Sequence, residues 1–263
     1  MSLTRSALTR AVIVDRLRAA GCVFAEDEAR LLIASAATPV ELAAMVRRRA
    51  GGLPLEQVIG WGEFCGLRVA VEPGVFVPRH RSEHLAAQAI ALASPGAVVV
   101  DLCCGSGALG AALAAAREGM ELHAADIDPS AVRCARRNLA GAGGHVHEGD
   151  LFEPLPAALR GRVNILVANV PYVPTEKIGL LPREARLYEP RVALDGGADG
   201  LDVVRRVAAA APRWLAAGGH LLVETGEGQA PQAAEIFAGN GLIPSVSQCE
   251  DLDATVVIGQ QPA

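Results

Sequence analysis

The stretch that decides the fold is residues 97–107, AVVVDLCCGSG, in which an apolar run ends at the acid Asp101 and continues into a glycine-rich loop. We expect a buried strand over Ala97–Cys103, then the loop, then a helix over Leu109–Arg117. A glycine loop between a strand and a helix lets a ligand approach the backbone closely and presents the N–H groups of the helix N-terminus to it. The stretch therefore predicts a ligand site at the carboxyl end of a strand.

The chain beyond this loop continues as an alternation of strands and helices, which is typical of an α/β protein with a doubly wound, mostly parallel sheet. A long helix is expected over Leu201–Ala217. No helix separates the last two strands, so the final strand is expected to run antiparallel. Seven strands are predicted: Ala97–Cys103, Glu121–Ala125, His145–Glu148, Val163–Ala168, His220–Glu224, Ser245–Cys249 and Thr255–Ile258.

The first 79 residues have a different pattern. Residues 1–56 are predicted to form a small helical N-terminal domain, and Thr38-Pro39 has the pattern of a helix N-terminus. Residues 57–79 contain short β-like runs cut by glycine and proline, which predicts a β-hairpin connector, and residues 80–263 form the α/β domain. The first predicted helix carries apolar residues at helical spacing: Leu3, Ala7, Leu8, Ala11, Val14 and Leu17.

Composition excludes several classes of protein. The 263 residues are 51% apolar and 20% charged, which is too apolar for intrinsic disorder. The longest apolar run, Leu85–Val100, is interrupted by polar residues, glycine and proline, so no membrane span is expected. The six cysteines show neither CxxC pairs nor zinc spacing, which indicates a reducing, cytoplasmic compartment. Residues 91–263 carry 13 basic and 20 acidic residues, which argues against nucleic acid as a partner.

Two further clusters of polar residues are candidates for a functional role. His80 and His84 are four residues apart with Glu83 beside them, but no third ligand is recognisable, so we expect no metal site. The acidic stretch Glu224–Gly228 follows a predicted strand close to the ligand site. Its residues are suited equally to a structural and to a catalytic role.

A second acid supports the ligand site. Asp126 ends the second predicted strand, 21 residues after Gly105, a distance that suits a carboxylate accepting hydrogen bonds from ribose hydroxyls. Residues 105–110 also match GxGxxG, the fingerprint of dinucleotide-binding proteins. However, Asp101 lies four residues before the first glycine and suits a cationic ligand, such as an ammonium or a sulfonium, better than a pyrophosphate. The pattern therefore favours adenosylmethionine over a dinucleotide.

A third motif, Asn169-Val170-Pro171-Tyr172, follows the fourth predicted strand. The carboxyl ends of parallel strands meet at one edge of the sheet, so this motif is expected beside the glycine loop. An Asn side-chain carbonyl and a backbone carbonyl can together accept both hydrogens of a planar NH2 group. Pro171 would stiffen the turn, and Tyr172 would offer a ring face to a flat ligand. An Asx turn that merely leaves the strand is the alternative.

Together these motifs resemble the class I adenosylmethionine-dependent methyltransferases that carry an Asn-Pro-Pro-Tyr-type motif. Three further stretches, 54–60, 73–79 and 188–201, resemble the release-factor-type protein N5-glutamine methyltransferases, and the similarity covers essentially the whole chain. The resemblance implies a Rossmann-like methyltransferase domain over residues 80–263. It also implies transfer of a methyl group from S-adenosylmethionine to a glutamine side-chain amide in a protein such as a release factor. The separate helical pattern and weak positive charge of the N-terminal part predict a substrate-recognition domain over residues 1–56.

The resemblance also implies roles for individual residues. The catalytic residues would be Asn169, Pro171 and Tyr172, and Val170 would join them in binding the substrate amide. The cofactor-binding residues would be Asp101, Cys103, Gly105, Ser106, Gly107, Asp126, Ile127, Asp150, Leu151 and Asn169.

The sequence departs from the family pattern at three places, one of which is Asp253-Ala254-Thr255, where the family often has an arginine. Val170 stands where the first proline of the motif is usual, and residues 80–83 read His-Arg-Ser-Glu in place of Pro-Glu-Thr-Glu. Three alternatives remain at this stage. The first is an N6-adenine nucleic-acid methyltransferase, which would need a basic face. The second is a methyltransferase acting on a small-molecule amide or amine. The third is a non-catalytic protein that binds adenosylmethionine or NAD.

Overall fold

The computed structural model describes residues 8–263. Leu3 and Ala7 of the predicted first helix lie outside these residues. The N-terminal domain consists of four helices, α1 (Arg10–Ala19), α2 (Ala25–Ser35), α3 (Pro39–Ala50) and α4 (Leu55–Ile59). They pack around a small apolar core of their own: Ile13, Val14, Leu17, Ala29, Leu32, Val46 and Val58.

The start of α3 follows from its sequence. The Thr38 hydroxyl accepts a hydrogen bond from the Glu41 amide at 3.1 Å, and Pro39 occupies the first helical position. The cap satisfies one of the free N–H groups of the first turn, and proline has no N–H to satisfy there. This helix start is confirmed as predicted.

The connector contains the expected antiparallel hairpin, formed by β1 (Trp61–Phe64) and β2 (Leu67–Ala70). Its turn is tight, because Cys65 and Gly66 both have positive φ. After β2 the chain runs without regular structure to residue 79 and enters α5 (Glu83–Leu92) through a single 3₁₀ turn.

The α/β domain is built on a seven-stranded sheet, which confirms the predicted fold class. Its order is β5–β4–β3–β6–β7–β9–β8; β9 runs antiparallel to both β7 and β8, as predicted for the final strand, and the other neighbouring pairs are parallel. The strands are β3 (Val98–Leu102), β4 (Glu121–Asp126), β5 (His145–Glu148), β6 (Val163–Ala168), β7 (Leu215–Thr225), β8 (Ile243–Cys249) and β9 (Ala254–Gln260).

Helices cover both faces of this sheet. On one face α6 (Ala108–Ala116) and α7 (Pro129–Leu139) pack against β3, β4 and β5, and α5 packs against β6, β7 and β9. On the other face lie α9 (Asp202–Ala210) and α10 (Ala230–Gly239). The chain turns outward in opposite directions from β3 and from β6, so the carboxyl ends of these two strands border a crevice, the place where open α/β sheets bind ligands. None of the helices within residues 8–263 has the length and apolar composition needed to cross a bilayer.

The predicted helix over Leu201–Ala217 is wrong at its C-terminal end. The helix ends at Ala210, a 3₁₀ turn follows over Ala211–Arg213, and β7 has already begun at Leu215. Pro212 is the physical reason, since proline lacks the N–H that a helix interior requires and restricts the residue before it.

Candidate functional site

The glycine loop after β3 opens onto a cavity of about 600 Å³. Gly105 has φ +54°, and a Cβ added to it would meet nothing within 4 Å, so the loop turns a bare backbone surface toward the cavity. Cys103 holds φ +55° although it is not glycine, a strained conformation of the kind found at functional sites. The loop is therefore shaped for a ligand that lies directly against its backbone.

Asp126, at the end of β4, is tied to this loop. Its Oδ2 accepts a hydrogen bond from the Gly105 amide at 2.8 Å, and its Oδ1 accepts one from the Asp128 amide at 2.9 Å. Burial raises the pKa of the carboxyl, and these amide hydrogen bonds oppose the shift. A carboxylate has about four acceptor positions, so Asp126 keeps acceptor capacity toward the cavity that it lines.

Asp101 and Gly107 do not line the cavity. Asp101 is fully buried behind the loop, where its Oδ2 accepts from the Gly110 amide at 3.1 Å and its Oδ1 has no partner among the described residues. Burial raises the pKa of this carboxyl to about 7. A Cβ at Gly107 would lie 3.1 Å from Ala135 Cα, so this glycine allows α6 to pack closely against α7. Direct cofactor contact by either residue stays a prediction.

The chain after β5 forms another part of the cavity. Asp150 and Leu151 both line it, and Leu151 has φ +48°. The Asp150 carboxylate accepts a hydrogen bond from Arg206 at 2.6 Å, which fixes its direction. Arg206 lines the cavity as well. It lies on α9, 56 residues from Asp150, so no local sequence pattern indicates its role.

The side-chain amide of Asn169, directly after β6, has a defined orientation. Its Nδ2 donates a hydrogen bond to Ser82 Oγ at 3.2 Å, and Ser82 is buried. Its Oδ1 accepts no hydrogen bond within the described part of the chain and is not buried. Because the NH2 group is engaged by Ser82, the carbonyl oxygen is the side that a ligand in the cavity would meet.

The Tyr172 hydroxyl is held by two charged groups. It donates to Glu224 Oε1 at 2.8 Å and accepts from Arg81, whose guanidinium also lies 5.3 Å from the centre of the tyrosine ring. Burial and the neighbouring Glu224 charge raise the pKa of the phenol. The hydroxyl therefore stays protonated, and the ring is fixed in place.

The backbone of the motif is supported from behind by the loop over residues 195–201. A Cβ at Gly196 would lie 2.6 Å from the Pro171 carbonyl oxygen, and one at Gly200 would lie 2.3 Å from that of Tyr172. The Gln229 side chain donates to the Tyr172 carbonyl at 2.9 Å. The glycine-rich character of this loop in the sequence reflects these close approaches.

Eleven of the thirteen predicted site residues line one cavity, the exceptions being Asp101 and Gly107. Four supporting residues were missed by sequence reasoning: Arg81, Ser82, Arg206 and Gln229. Among residues 8–263, no group of three or more His, Cys, Asp or Glu side chains is arranged to hold a metal ion. The lining residues that were predicted are Cys103, Gly105, Ser106, Asp126, Ile127, Asp150, Leu151, Asn169, Val170, Pro171 and Tyr172.

Comparison with known proteins places this arrangement among methyltransferases. The family model "Methyltransferase small domain" matches residues 66–180. A release factor glutamine methyltransferase of Geobacter sulfurreducens is 42% identical over 208 residues, which cover 77% of this chain and 72% of that protein. A 4-amino-L-phenylalanine/4-methylamino-L-phenylalanine methyltransferase of Streptomyces pristinaespiralis is 35% identical over 205 residues, which cover 74% of this chain and 69% of that protein.

Among solved structures, a methyltransferase from Pyrococcus furiosus has the same fold. The two share a TM-score of 0.58 at 15% identity, over 75% of this chain and 90% of that one. At this level of identity the likeness supports the fold and nothing finer.

Proposed function

Because the chain belongs to the family of release factor glutamine methyltransferases, we propose that it transfers a methyl group from S-adenosylmethionine to the side-chain amide nitrogen of a glutamine in a release factor. The observation that carries the proposal is the orientation of Asn169, whose NH2 group is engaged by Ser82 while its carbonyl oxygen is left for the substrate.

The residues of the cavity fit adenosylmethionine. The bare backbone at Gly105 leaves room for a ligand against the loop, and Asp126 has acceptor capacity for the two ribose hydroxyls. We expect Asp150 and Leu151 to border the same ligand. When bound, adenosylmethionine supplies a methyl group on a positively charged sulfur.

The motif after β6 would hold the glutamine amide. Asn169 Oδ1 and the Val170 carbonyl would each accept one N–H, and no described group donates to the Val170 carbonyl. Pro171 fixes the turn and the held ring of Tyr172 flanks the flat amide. The two hydrogen bonds that the amide NH2 group donates would direct the lone pair of its nitrogen at the methyl carbon. In the proposed transfer the N–C bond would form as the S–C bond breaks, the sulfur would leave as a neutral thioether, and one amide proton would then pass to water.

Catalysis of this kind depends on positioning. Holding two reacting atoms in line supplies a large part of the rate enhancement without a strong base. The amide nitrogen loses its proton after transfer, so none of the cavity residues has to remove it first. The raised pKa of Tyr172 agrees with a hydroxyl that orients its ring and does not act as a base.

Residues 1–56 are proposed to recognise the release factor, and the cytoplasm, where translation takes place, is the proposed location. The relative that acts on 4-amino-L-phenylalanine shows that similar chains differ in substrate. An aromatic amine is therefore the second candidate substrate, and it would reach the same Asn169 and Val170 acceptors.

The test is methyl transfer with defined substrates. The purified chain is incubated with adenosylmethionine and, in separate reactions, with a release factor, the same factor with its candidate glutamine changed to alanine, and 4-amino-L-phenylalanine. Mass spectrometry of proteolytic peptides should find one added methyl group on the glutamine of the unaltered factor alone. Methylation of 4-amino-L-phenylalanine, with none of the release factor, would show that the substrate is the aromatic amine.

A further inference from the structure

One wall of the cavity is formed by residues 181–194, here called the wall segment. It contains the short helix α8 (Arg183–Tyr188) and one 3₁₀ turn, and no strand of the central sheet. Pro182, Ala185 and Leu194 are among its residues that line the cavity. Its end lies beside the Asn169–Tyr172 motif, because the Val173 amide donates to the Leu194 carbonyl at 3.0 Å. The wall segment therefore borders the amide end of the cavity.

The wall segment is attached to the N-terminal domain through Arg49 of α3. Arg49 Nη1 donates to Glu184 Oε2 at 2.9 Å, while Nε and Nη2 donate to both carboxylate oxygens of Glu28 at 2.6 and 2.9 Å. The side chains of Arg49 and Glu28 are each only 11% exposed. A two-point pair between buried groups leaves Arg49 little freedom, so it holds Glu184 at a defined place.

A second attachment lies one turn further along. The Tyr188 hydroxyl donates to the Gly51 carbonyl at 2.9 Å, at the end of α3. The Tyr188 carbonyl accepts from Gln57 Nε2 at 3.4 Å, and the same amide nitrogen donates to the Val75 carbonyl at 3.0 Å. Gln57 lies on α4 and is buried, so it joins the N-terminal domain, the connector and the wall segment at one point.

A third attachment comes from the connector. The fully buried carboxylate of Glu189 accepts from Arg79, with both its oxygens at 2.6 Å, and from the Val77 amide at 3.3 Å. Three positions of the wall segment, 184, 188 and 189, are thus held by residues that precede the α/β domain. Without these contacts the segment would keep few backbone hydrogen bonds to anything but itself, a condition under which segments open locally.

We propose that the N-terminal domain positions the wall segment, with Arg49 as the central positioning residue, so that the substrate end of the cavity is complete only when this domain is docked. The N-terminal domain then has two roles, contact with the protein substrate and support of the cavity in which its glutamine is methylated. The identity of the substrate in this inference rests on the proposed function, whereas the positioning itself does not.

The test uses variants of the full chain that weaken one attachment each. Arg49→Ala is unsuitable, because it would leave the Glu28 carboxylate buried without a partner and destabilise the whole domain. Tyr188→Phe removes a single hydroxyl from a residue that does not line the cavity, and Glu184→Gln removes one charge of the ion pair. Glu176→Gln is the matched control, since Glu176 is exposed, lies a few residues earlier and has no ion pair within the described residues.

Hydrogen–deuterium exchange of the wall segment is the first readout. In Tyr188→Phe and Glu184→Gln we expect its amides to exchange about threefold to tenfold faster, the range for loss of one hydrogen bond, with the melting temperature and the other peptides unchanged. KM for the release factor should rise by a similar factor, and the cofactor Kd should not change. Glu176→Gln should behave as the parent chain.

Two results would overturn the inference. One is unchanged exchange of the wall segment in both variants. The other is faster exchange with an unchanged KM in Tyr188→Phe, which would show that the position of the wall has no effect on the substrate. If the parent chain fails to methylate the release factor, the proposed function fails, and the exchange readout still decides whether the N-terminal domain holds the wall segment.

Discussion

The two ends of the cavity are built in different ways. At the proposed cofactor end, bare backbone after β3 and the Asp126 carboxylate at the end of β4 face the cavity, and they are joined to each other by the Gly105 amide. At the amide end, the motif after β6 depends on side chains from distant segments, Ser82 for Asn169 and Glu224 for Tyr172. The cofactor end is built from backbone and one side chain at the ends of two neighbouring strands. The amide end depends on side-chain contacts between segments that are far apart in the sequence.

This difference separates two kinds of effect. A change at the cofactor end should weaken binding of adenosylmethionine and leave the rate at saturation nearly intact. A change at the amide end should lower the rate of transfer and leave cofactor affinity nearly intact.

Asn169→Ala removes the carbonyl that is proposed to hold the glutamine amide. The single-turnover rate of methylation should fall on the order of 100-fold, because a misplaced reacting group costs about that much. The cofactor Kd, measured by calorimetry, should stay within about threefold, since Asp126 and the glycine loop are untouched. A variant that keeps the parent rate would show that Asn169 does not hold the amide.

Asp126→Ala removes the carboxylate that is proposed to accept hydrogen bonds from the ribose hydroxyls. Hydrogen bonds to a charged group contribute about 1.5–3 kcal/mol, so the cofactor Kd should rise about tenfold or more. Glu148→Ala is the control, because Glu148 is exposed at the end of the neighbouring strand and pairs in register with Asp126. Equal affinities of the two variants for adenosylmethionine would show that Asp126 does not bind the cofactor.

Ser82→Ala leaves the Asn169 amide without the partner that orients it. The rate should fall about threefold to tenfold, as expected for loss of one hydrogen bond. Ser82→Thr restores the hydroxyl and should restore most of the rate, provided that the added methyl group fits at this buried position. If alanine and threonine at position 82 behave alike, the orientation of Asn169 has another source.

Val170→Pro should have the smallest effect. The group proposed to act at this position is the backbone carbonyl, which valine and proline both have, and proline adds only a fixed φ near −65°. The rate should therefore stay the same or rise slightly in the single-turnover assay. A folded but inactive Val170→Pro enzyme would mean that the valine side chain, which is buried, has a role in the site.

The difference between the two ends of the cavity also explains which site residues could be predicted from the sequence. Gly105 and Asp126 were predictable because their spacing along two neighbouring strands is fixed by the fold, and Thr38 was predictable as a cap because its partner is three residues away. The partners of the motif were not, since Ser82 lies 87 residues from Asn169 and Glu224 lies 52 residues from Tyr172. No local pattern encodes such pairs.

Two further differences have specific causes. The predicted helix over Leu201–Ala217 runs through Pro212. Proline has no N–H to donate to the helix, so the helix ends before this residue. The motif predicts ligand contact by Asp101, and the structure places its side chain in the core behind the loop, so direct contact stays a prediction. Position in a motif identifies a site, and burial decides which of its side chains reach the cavity.

The double variant Asp126→Ala/Asn169→Ala shows whether the two ends of the cavity act separately. Its cofactor Kd and its single-turnover rate at saturating cofactor are measured together. If the two ends act separately, the double variant should have the Kd of Asp126→Ala and the rate of Asn169→Ala, because sites that share no partner contribute additively. A Kd well above that of Asp126→Ala, or a rate at saturation well below that of Asn169→Ala, would contradict this separation.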